Sequence, residues 1–281
     1  MQEDVKRIYH FHSDANSLGG FIEEPFEKII PSQASVSLPV VGGYAHTRTE
    51  AFNFQEVVSC RAAYTRVSGK TVKKNGPWST LVTSVIEGLN ILEIVKAERV
   101  VAQISVEHPE DGGLPKVFFG GSHFEKLRVA GCDVNLSLHP RLLTLHSGER
   151  SLSREDNPHA QGIEWSKFVE IGQNQSRVLS ETPNVPKWAM ERYGWMASRQ
   201  GNQGEGFALC SLVDRVDGVI PGESFGHVVE VPDFGRIFLG ELIIHPRATR
   251  LTMIRAELGC NVKGQVTAAS GGAQGSTVPP S

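Results

Sequence analysis

Residues 98–107 have the sequence ERVVAQISVE, and this stretch decides the fold class. Apolar side chains occupy every second position, with Arg99, Gln103 and Ser105 between them. The apolar members of the series are Val100, Ala102, Ile104 and Val106. Because successive side chains of a β-strand point to opposite faces, the alternation predicts a strand with one buried face.

The same two-residue period recurs along the chain, and turn signals separate the repeats. DVNLSLH at 133–139 alternates strictly, whereas RIFLGELIIH at 236–245 is apolar on both faces, as is typical of a central, covered strand. Glycine and proline cluster between such runs, as in KKNGPW at 73–78 and PEDGGLP at 109–115. Many short strands joined by such turns predict an all-β protein, an antiparallel two-sheet sandwich that is jelly-roll-like or barrel-like.

A polar, turn-rich stretch interrupts this pattern at 147–206. It contains the only segments with clear helical character, EWSKFVEI at 164–171 and VPKWAMERYGWMASR at 185–199. We therefore predict a β framework formed by residues 1–146 and 207–266, with a partly helical insertion between its two parts.

The end of the chain has a different composition. Residues 270–281, SGGAQGSTVPPS, are small or polar, and such a segment buries little apolar surface to offset the entropy lost on ordering. The sequence therefore predicts a flexible tail over residues 267–281.

The tripeptide His-Pro-Arg occurs twice, at 139–141 and 245–247, each time after an alternating run. Proline cannot donate a ladder hydrogen bond, so it ends strand pairing and turns the chain. The two occurrences predict equivalent strand–corner–strand units, with coincidence as the alternative because the match is short. His108 also precedes proline and is predicted to lie at a corner.

The stretch YHFHSDA, at 9–15, is a candidate metal site. His10 and His12 share one face of a strand, zinc accepts two imidazoles at that spacing, and Asp14 would join or orient them. The stretch resembles the first motif of metal-dependent hydrolases of the amidohydrolase and polymerase-and-histidinol-phosphatase kind. That resemblance implies a barrel of alternating strands and helices with further ligands at later strand ends, and the rest of the sequence has no such pattern. An ordinary first strand that binds no metal is the favoured interpretation.

Three of the four tryptophans lie in the insertion, within or next to its helical segments. Trp188, Tyr193 and Trp195 fall on one broad helical arc that also contains Arg192. Such side chains anchor ligands and partners, so these four residues are the candidates for contact with a ligand or partner. The alternative, which is preferred, is that they form the small core that holds the insertion on the sheet, because a short helix needs a buried face.

Composition and motifs exclude several classes of protein. The net charge of −3, from 28 basic and 31 acidic residues, gives no electrostatic basis for binding nucleic acid or an anionic membrane. No apolar run has the length of a signal peptide core or a membrane span, so a cytoplasmic protein is expected. Four cysteines lie far apart without a CxxC pair, which predicts free thiols. No phosphate-binding or dinucleotide-binding glycine motif is found, so no cofactor is predicted.

These observations predict a non-catalytic, β-rich module that binds an unknown ligand or assembles with itself, as a possible homo-oligomer, or with a protein partner. No nucleophile, base and orienting group occur in a recognisable pattern, so no catalytic residue is assigned. The alternative is a hydrolase whose site is built from separated strand ends and the 147–206 insertion.

Overall fold

The computed structural model describes six segments of the chain: residues 8–72, 76–110, 113–143, 165–199, 206–245 and 247–278. Within them, every pair of neighbouring strands is antiparallel, and two large sheets face each other. A small group of helices lies in the insertion. The predicted all-β sandwich with a partly helical insertion is therefore confirmed, as two separate stacked sheets.

The elements follow one another in two groups of strands with the helices between them. The first group is β1 (Ile8–Glu24), β2 (Lys28–Ser37), β3 (Gly43–Thr49), β4 (Phe52–Phe54), β5 (Val58–Cys60), β6 (Ala62–Thr71), β7 (Trp78–Ile91), β8 (Val95–His108), β9 (Lys116–Phe118), β10 (His123–Glu125), β11 (Arg128–Val129), β12 (Cys132–Asp133) and β13 (Asn135–Leu138). The helices are α1 (Pro140–Leu143), α2 (Trp165–Glu181) and α3 (Lys187–Tyr193), followed by a 3-10 turn (Gly194–Ser198). The second group is β14 (Ala208–Ser211), β15 (Val213–Asp217), β16 (Glu223–Phe225), β17 (Val228–Val231), β18 (Gly235–His245), β19 (Ala248–Gly259) and β20 (Lys263–Val278).

Sheet I has eight strands in the order β16-β17-β18-β19-β20-β1-β2, with β14 beside β17 along the same edge of β18. Sheet II is built on β7 and β8, with β3 and β6 on one side and β9, β10 and β11 on the other. A third, two-stranded sheet pairs β13 with β15. The first strand of the chain thus pairs with the last, which joins the two groups of strands in one sheet.

The core lies between the sheets, where β1 and β20 pack on β6, β7 and β8. The apolar series of residues 98–107 points into this core as its alternation predicts, while Arg99, Gln103 and Ser105 are half-exposed on the outer face of sheet II. The buried members are Val100, Ala102, Ile104 and Val106. This burial fixes the register of β8, since a shift by one residue would turn the apolar series to solvent.

The insertion packs against sheet I through α2, which contacts β14 and the 3-10 turn. Gly172 in α2 permits the close approach, because a Cβ atom there would lie 2.6 Å from the carbonyl oxygen of Leu209 and 2.6 Å from Met196 Cε. The α-helix α3 ends at Tyr193, and the tighter turn begins at Gly194, a residue that weakens α-helices.

The prediction of a flexible tail is wrong for residues 267–278, which belong to β20; residues 279–281 lie outside the described segments. The physical reason is that small side chains let the sheets approach closely. A Cβ atom at Gly271 would lie 2.6 Å from Val82 of sheet II, and one at Gly275 would lie 1.8 Å from the Tyr9 hydroxyl. Burial here comes from neighbouring backbone and side chains, which composition does not measure.

The two His-Pro-Arg tripeptides do not form equivalent units. After the second tripeptide the chain continues as a strand, since β18 ends at His245 and β19 begins at Ala248, whereas residues 140–143 of the first form the helix α1. Pro140 occupies the first position of that helix, where its missing N–H is not needed and its fixed φ suits the helix.

Candidate ligand cavity beneath the insertion

The structure brings three of the four sequence-predicted contact residues together over sheet I. Trp188, Arg192 and Tyr193 of α3 lie above β18, whereas Trp195 packs elsewhere, 5.2 Å from the ring of Phe207. Tyr193 is 5% exposed, and the other three are half-buried.

Trp188 is held at the outer end of this group. Its ring lies edge-on to Phe238, with 5.9 Å between centroids, and the guanidinium of Arg236 stacks 4.2 Å from its centroid. The indole Nε1–H donates to Glu230 Oε2 at 3.2 Å. Aromatic edge contact and cation stacking each add stabilisation beyond the buried area, so Trp188 is fixed from three sides.

Glu241 of β18 is the centre of a buried ionic cluster and is only 6% exposed. Its Oε1 accepts hydrogen bonds from Arg192 Nη2 at 2.9 Å and from the Tyr193 hydroxyl at 2.7 Å. Its Oε2 accepts from Arg255 Nε at 2.7 Å. Arg255 also lies flat on Phe238, 3.6 Å from the ring centroid, and its Nη1 donates to Glu257.

These contacts keep Glu241 ionised. Burial by itself raises the pKa of this carboxyl, but the hydrogen bond and charge of Arg255, followed by the charge of Arg192, outweigh burial and lower the pKa to about 2. Gly240, immediately before it, has a φ of +62°, and the side chains of Phe238 and Glu241, which are three residues apart, both contact Arg255. The irregular backbone thus helps to place the carboxylate beneath α3.

A cavity of about 100 Å³ lies next to this cluster, between α2, the 3-10 turn, β14 and the β16–β17 turn. Its volume lies below that of pockets for drug-sized ligands, and the nearest comparison is an engineered cavity of about 150 Å³ that binds benzene. We name it the insertion cavity. Its apolar walls include Ile171, Leu179, Met196, Leu209, Val213 and Phe225.

Two histidines in the lining of the insertion cavity have buried nitrogens that lack hydrogen-bond partners among the described residues. They are His227 Nε2, from the β16–β17 turn, and His139 Nδ1, from the corner before α1. His227 is 7% exposed, and its ring lies edge-on to Tyr193, with 4.8 Å between centroids. An unmet buried polar atom costs about 1–3 kcal/mol, so two of them in one cavity call for an explanation.

The titratable groups of the lining that respond to burial are held in their neutral forms. Burial lowers the pKa of His227 to about 4, lowers the pKa of His139, and raises the pKa of Cys210 to about 12. Burial likewise raises the pKa of the Tyr193 hydroxyl. The neutral thiol of Cys210 is a poor nucleophile, because reactivity belongs to the thiolate.

Side-chain hydrogen bonds fix α2 over the cavity. Gln175 pairs with the backbone of Ser211, donating from Nε2 to the carbonyl oxygen at 3.0 Å and accepting from the N–H at 2.8 Å. Ser176 donates to the carbonyl oxygens of Tyr193 and Gly194 at the end of α3. The hydroxyl of Ser176 is therefore engaged in holding the helices together.

The HxH stretch lies in β1, as the strand interpretation predicts. His10 and His12 point to the outer face, with 6.4 Å between ring centroids, and Asp14 forms an ion pair with Arg250 Nη2 at 3.0 Å. Among the residues that the structure describes, no three His, Cys, Asp or Glu side chains form a group able to hold a metal ion.

Sequence reasoning found Tyr193 and missed His227 and His139. The sequence predicts a corner at His139 and offers no prediction for His227. The signal for His139 was the His-Pro dipeptide, which ends a strand and places the imidazole at the sheet edge, where cavities open. His227 lies in the two-residue turn Gly226–His227 and has no local signal, because it becomes buried only when the insertion covers it.

The described helices include none that is both long and apolar enough to cross a lipid bilayer. Fold and site together define an all-β sandwich protein with a helical insertion and a cavity beneath it. The chain belongs to the family described as Domain of unknown function (DUF8256), whose model matches residues 9–245. No curated protein and no solved structure matches the chain significantly.

Proposed function

We propose that this protein is a non-catalytic binding module, and that the insertion cavity holds a small uncharged ligand with an apolar body and one polar group. One observation carries the proposal: His227 Nε2 is buried without a hydrogen-bond partner in the lining of the insertion cavity, whose volume of about 100 Å³ limits the ligand to a few non-hydrogen atoms unless the walls move apart. A ligand hydroxyl or amide would meet that atom.

The chemistry of the lining supports an uncharged ligand. One nitrogen of each neutral imidazole, His227 Nε2 and His139 Nδ1, has no partner among the described residues. Either atom donates or accepts according to the tautomer, which suits a ligand group that can do both. The nearby charge of Glu241 is already neutralised by Arg192 and Arg255. An anionic ligand would have to be desolvated without gaining a counter-charge, because the described lining holds no lysine or arginine and its exposed carboxylate, Asp214, would repel an anion.

Binding is favoured over the hydrolase alternative by the state of the potential nucleophiles. Cys210 is a neutral thiol, and the hydroxyls of Ser176 and Ser211 donate to backbone carbonyl oxygens. The thiol would have to lose its proton, and each serine hydroxyl would have to leave its hydrogen bond to a backbone carbonyl oxygen, before attacking a substrate. The hydrolase remains a prediction from the sequence. So does self-association, which light scattering of the purified protein would measure.

The proposal is tested with phenol and toluene as probes, since the two differ mainly in the hydroxyl. In isothermal titration calorimetry phenol should bind saturably, and toluene should bind about tenfold more weakly, because one buried hydrogen bond is worth roughly 1 kcal/mol or more. His227→Gln should weaken phenol binding by about tenfold. The matched control is His46→Gln, a change of an exposed histidine on sheet II, which should leave phenol binding unchanged.

The absence of saturable phenol binding to the wild-type protein would refute the proposal. Equal affinity for phenol and toluene would refute its polar part, since the histidine nitrogens would then contribute nothing. His139→Gln provides a second variant in case His227→Gln does not fold.

A further inference from the structure

A second cavity, of about 290 Å³, lies at one end of the sandwich and is unrelated to the insertion. We name it the end cavity. It is lined by the start of β1, the end of β8, Pro109, residues 113–115, the end of β20, and Arg247. Its lining includes Tyr9, His108, Pro109, Leu114, Pro115 and Arg247.

Two side chains in this lining are more than nine-tenths buried and have polar atoms without hydrogen-bond partners in the described structure. Tyr9 is 6% exposed and His108 is 9% exposed, and the unmet atoms are Tyr9 Oη and His108 Nε2. Their rings are 5.0 Å apart between centroids. Buried hydroxyls and imidazoles are normally hydrogen-bonded, so two adjacent exceptions in one cavity point to an absent partner.

Packing holds Tyr9 in a fixed position. The ring of Tyr9 stacks on Trp78, with 5.0 Å between centroids and 12° between planes. The Tyr9 hydroxyl lies over Gly275, where any Cβ atom would come within 1.8 Å of it. A polar group that is fixed and unmet is pre-organised for a ligand, because little side-chain entropy remains to be lost on binding.

The polar groups of the end cavity favour an anion. Burial raises the pKa of Tyr9, so its hydroxyl stays protonated and can donate. Burial lowers the pKa of His108 to about 4, which leaves a neutral ring able to donate from Nε2 in one tautomer. Arg247 supplies a guanidinium, and none of the described lining residues carries a carboxylate.

We propose that the end cavity binds a small carboxylate with an apolar body. The carboxylate accepts hydrogen bonds from Tyr9 Oη, His108 Nε2 and the Arg247 guanidinium, and the apolar body lies against Pro109, Leu114 and Pro115. The volume accommodates a body the size of one aromatic ring. This site is independent of the insertion cavity, with which it shares no lining residue.

The test uses benzoate and its uncharged counterpart benzamide as probes. Calorimetry should show saturable binding of benzoate, with benzamide about tenfold weaker, because the charge-assisted bond to Arg247 is lost. Tyr9→Phe and Arg247→Gln should each weaken benzoate binding about tenfold. Controls are Tyr44→Phe and Arg66→Gln on the outer face of sheet II, which should bind benzoate as the wild type does.

Tyr9→Phe removes only an unmet hydroxyl, so the variant should fold with an unchanged or higher melting temperature and remain a valid test. Absence of saturable benzoate binding would overturn the proposal, as would equal affinity for benzamide or undiminished binding by Tyr9→Phe. Phenol binding tests the insertion cavity independently, because Tyr9 does not line that cavity and Tyr9→Phe should leave phenol binding unchanged.

Discussion

Tyr193 stands between two polar regions that the insertion covers. On one side its hydroxyl joins the Glu241 cluster, where both carboxylate oxygens are hydrogen-bonded to Arg192, Tyr193 and Arg255. On the other side its ring borders the insertion cavity, where His227 has an unmet nitrogen. Both regions are buried and adjacent, so burial alone does not distinguish them. In the cluster the carboxylate itself is satisfied, although Arg255 Nη2 has no partner among the described residues. In the cavity the unmet group is neutral and lies beside a void, where a ligand can use it.

The largest expected effect comes from Glu241→Gln. Removing the charge leaves the buried Arg255 and the more exposed Arg192 without their carboxylate partner, and removing one partner of a buried ion pair typically costs about 3–5 kcal/mol. Chemical denaturation should show this loss in the free energy of unfolding. Glu50→Gln, in an exposed ion pair with Arg48, should stay within about 0.5 kcal/mol of the wild type. A small effect of Glu241→Gln would mean that the cluster is not structural.

Trp188→Ala should come next, at about 2–3 kcal/mol, below the 3–5 kcal/mol typical of fully buried tryptophan because the ring is half-exposed. Trp195→Ala should cost less, about 1 kcal/mol, since its aromatic partner Phe207 is itself 49% exposed. Denaturation curves would measure both. Changes within about 0.5 kcal/mol would instead indicate a contact surface for a partner, the first of the two sequence-based interpretations.

The free energy of unfolding should depend on pH in two different ranges, one for the histidine of the insertion cavity and one for the Glu241 cluster. The folded pKa of His227, about 4, lies below its ordinary 6.5, so below pH 6.5 the unfolded state binds a proton that the folded state does not. Stability should therefore fall between pH 6.5 and 4, by at most about 1.4 kcal/mol per pH unit for this group. His108 contributes in the same range.

Glu241 has a depressed pKa of about 2 against an ordinary 4.5, so its contribution is present above pH 4.5 and is lost as pH falls towards 2. Denaturation at a series of pH values should thus show two stages. His227→Phe should reduce the first stage to the part that His108 contributes and leave the second stage unchanged. A first stage identical in the variant would contradict this assignment.

The smallest effect is expected from His227→Phe at pH 7. Replacing an unmet polar side chain by an apolar one of similar shape should change the free energy of unfolding by no more than about 1 kcal/mol, in either direction. Denaturation at neutral pH provides the value. A loss as large as that of Glu241→Gln would show that His227 has a structural partner, and the contrast between the two regions would disappear.

The sequence predicted the framework because local alternation reports burial directly. In β8 every apolar residue within 98–107 is buried, and the polar residues between them, Arg99, Gln103 and Ser105, are half-exposed on the outer face of sheet II. The same logic failed for β20, where Gly271 and Gly275 are buried by Val82 and Tyr9. Those contacts join residues far apart in the chain, and composition of one segment does not contain them.

The site was less accessible to sequence reasoning for a related reason. Tyr193 was found because aromatic residues cluster locally in the insertion. Glu241 appeared only as one polar residue in an apolar strand, and its partner Arg255 lies on β19. The sequence near His227 and near His108 gives no sign that either ring is buried. Their unpartnered Nε2 atoms are evident only in the folded structure, where elements distant in the chain cover them.

The pairing of β1 with β20 sets the order in which the protein can fold. Ile8 lies opposite Val278, and β20 fills the gap between β1 and β19 in the middle of sheet I. Contacts between residues so far apart in sequence form slowly, because the entropy of closing a long loop is lost before the contacts contribute any stabilisation. Until the ribosome releases residues 263–278, β1 and β19 each expose an unpaired edge that can template aggregation. The nascent chain is therefore expected to need protection from aggregation at those two strand edges.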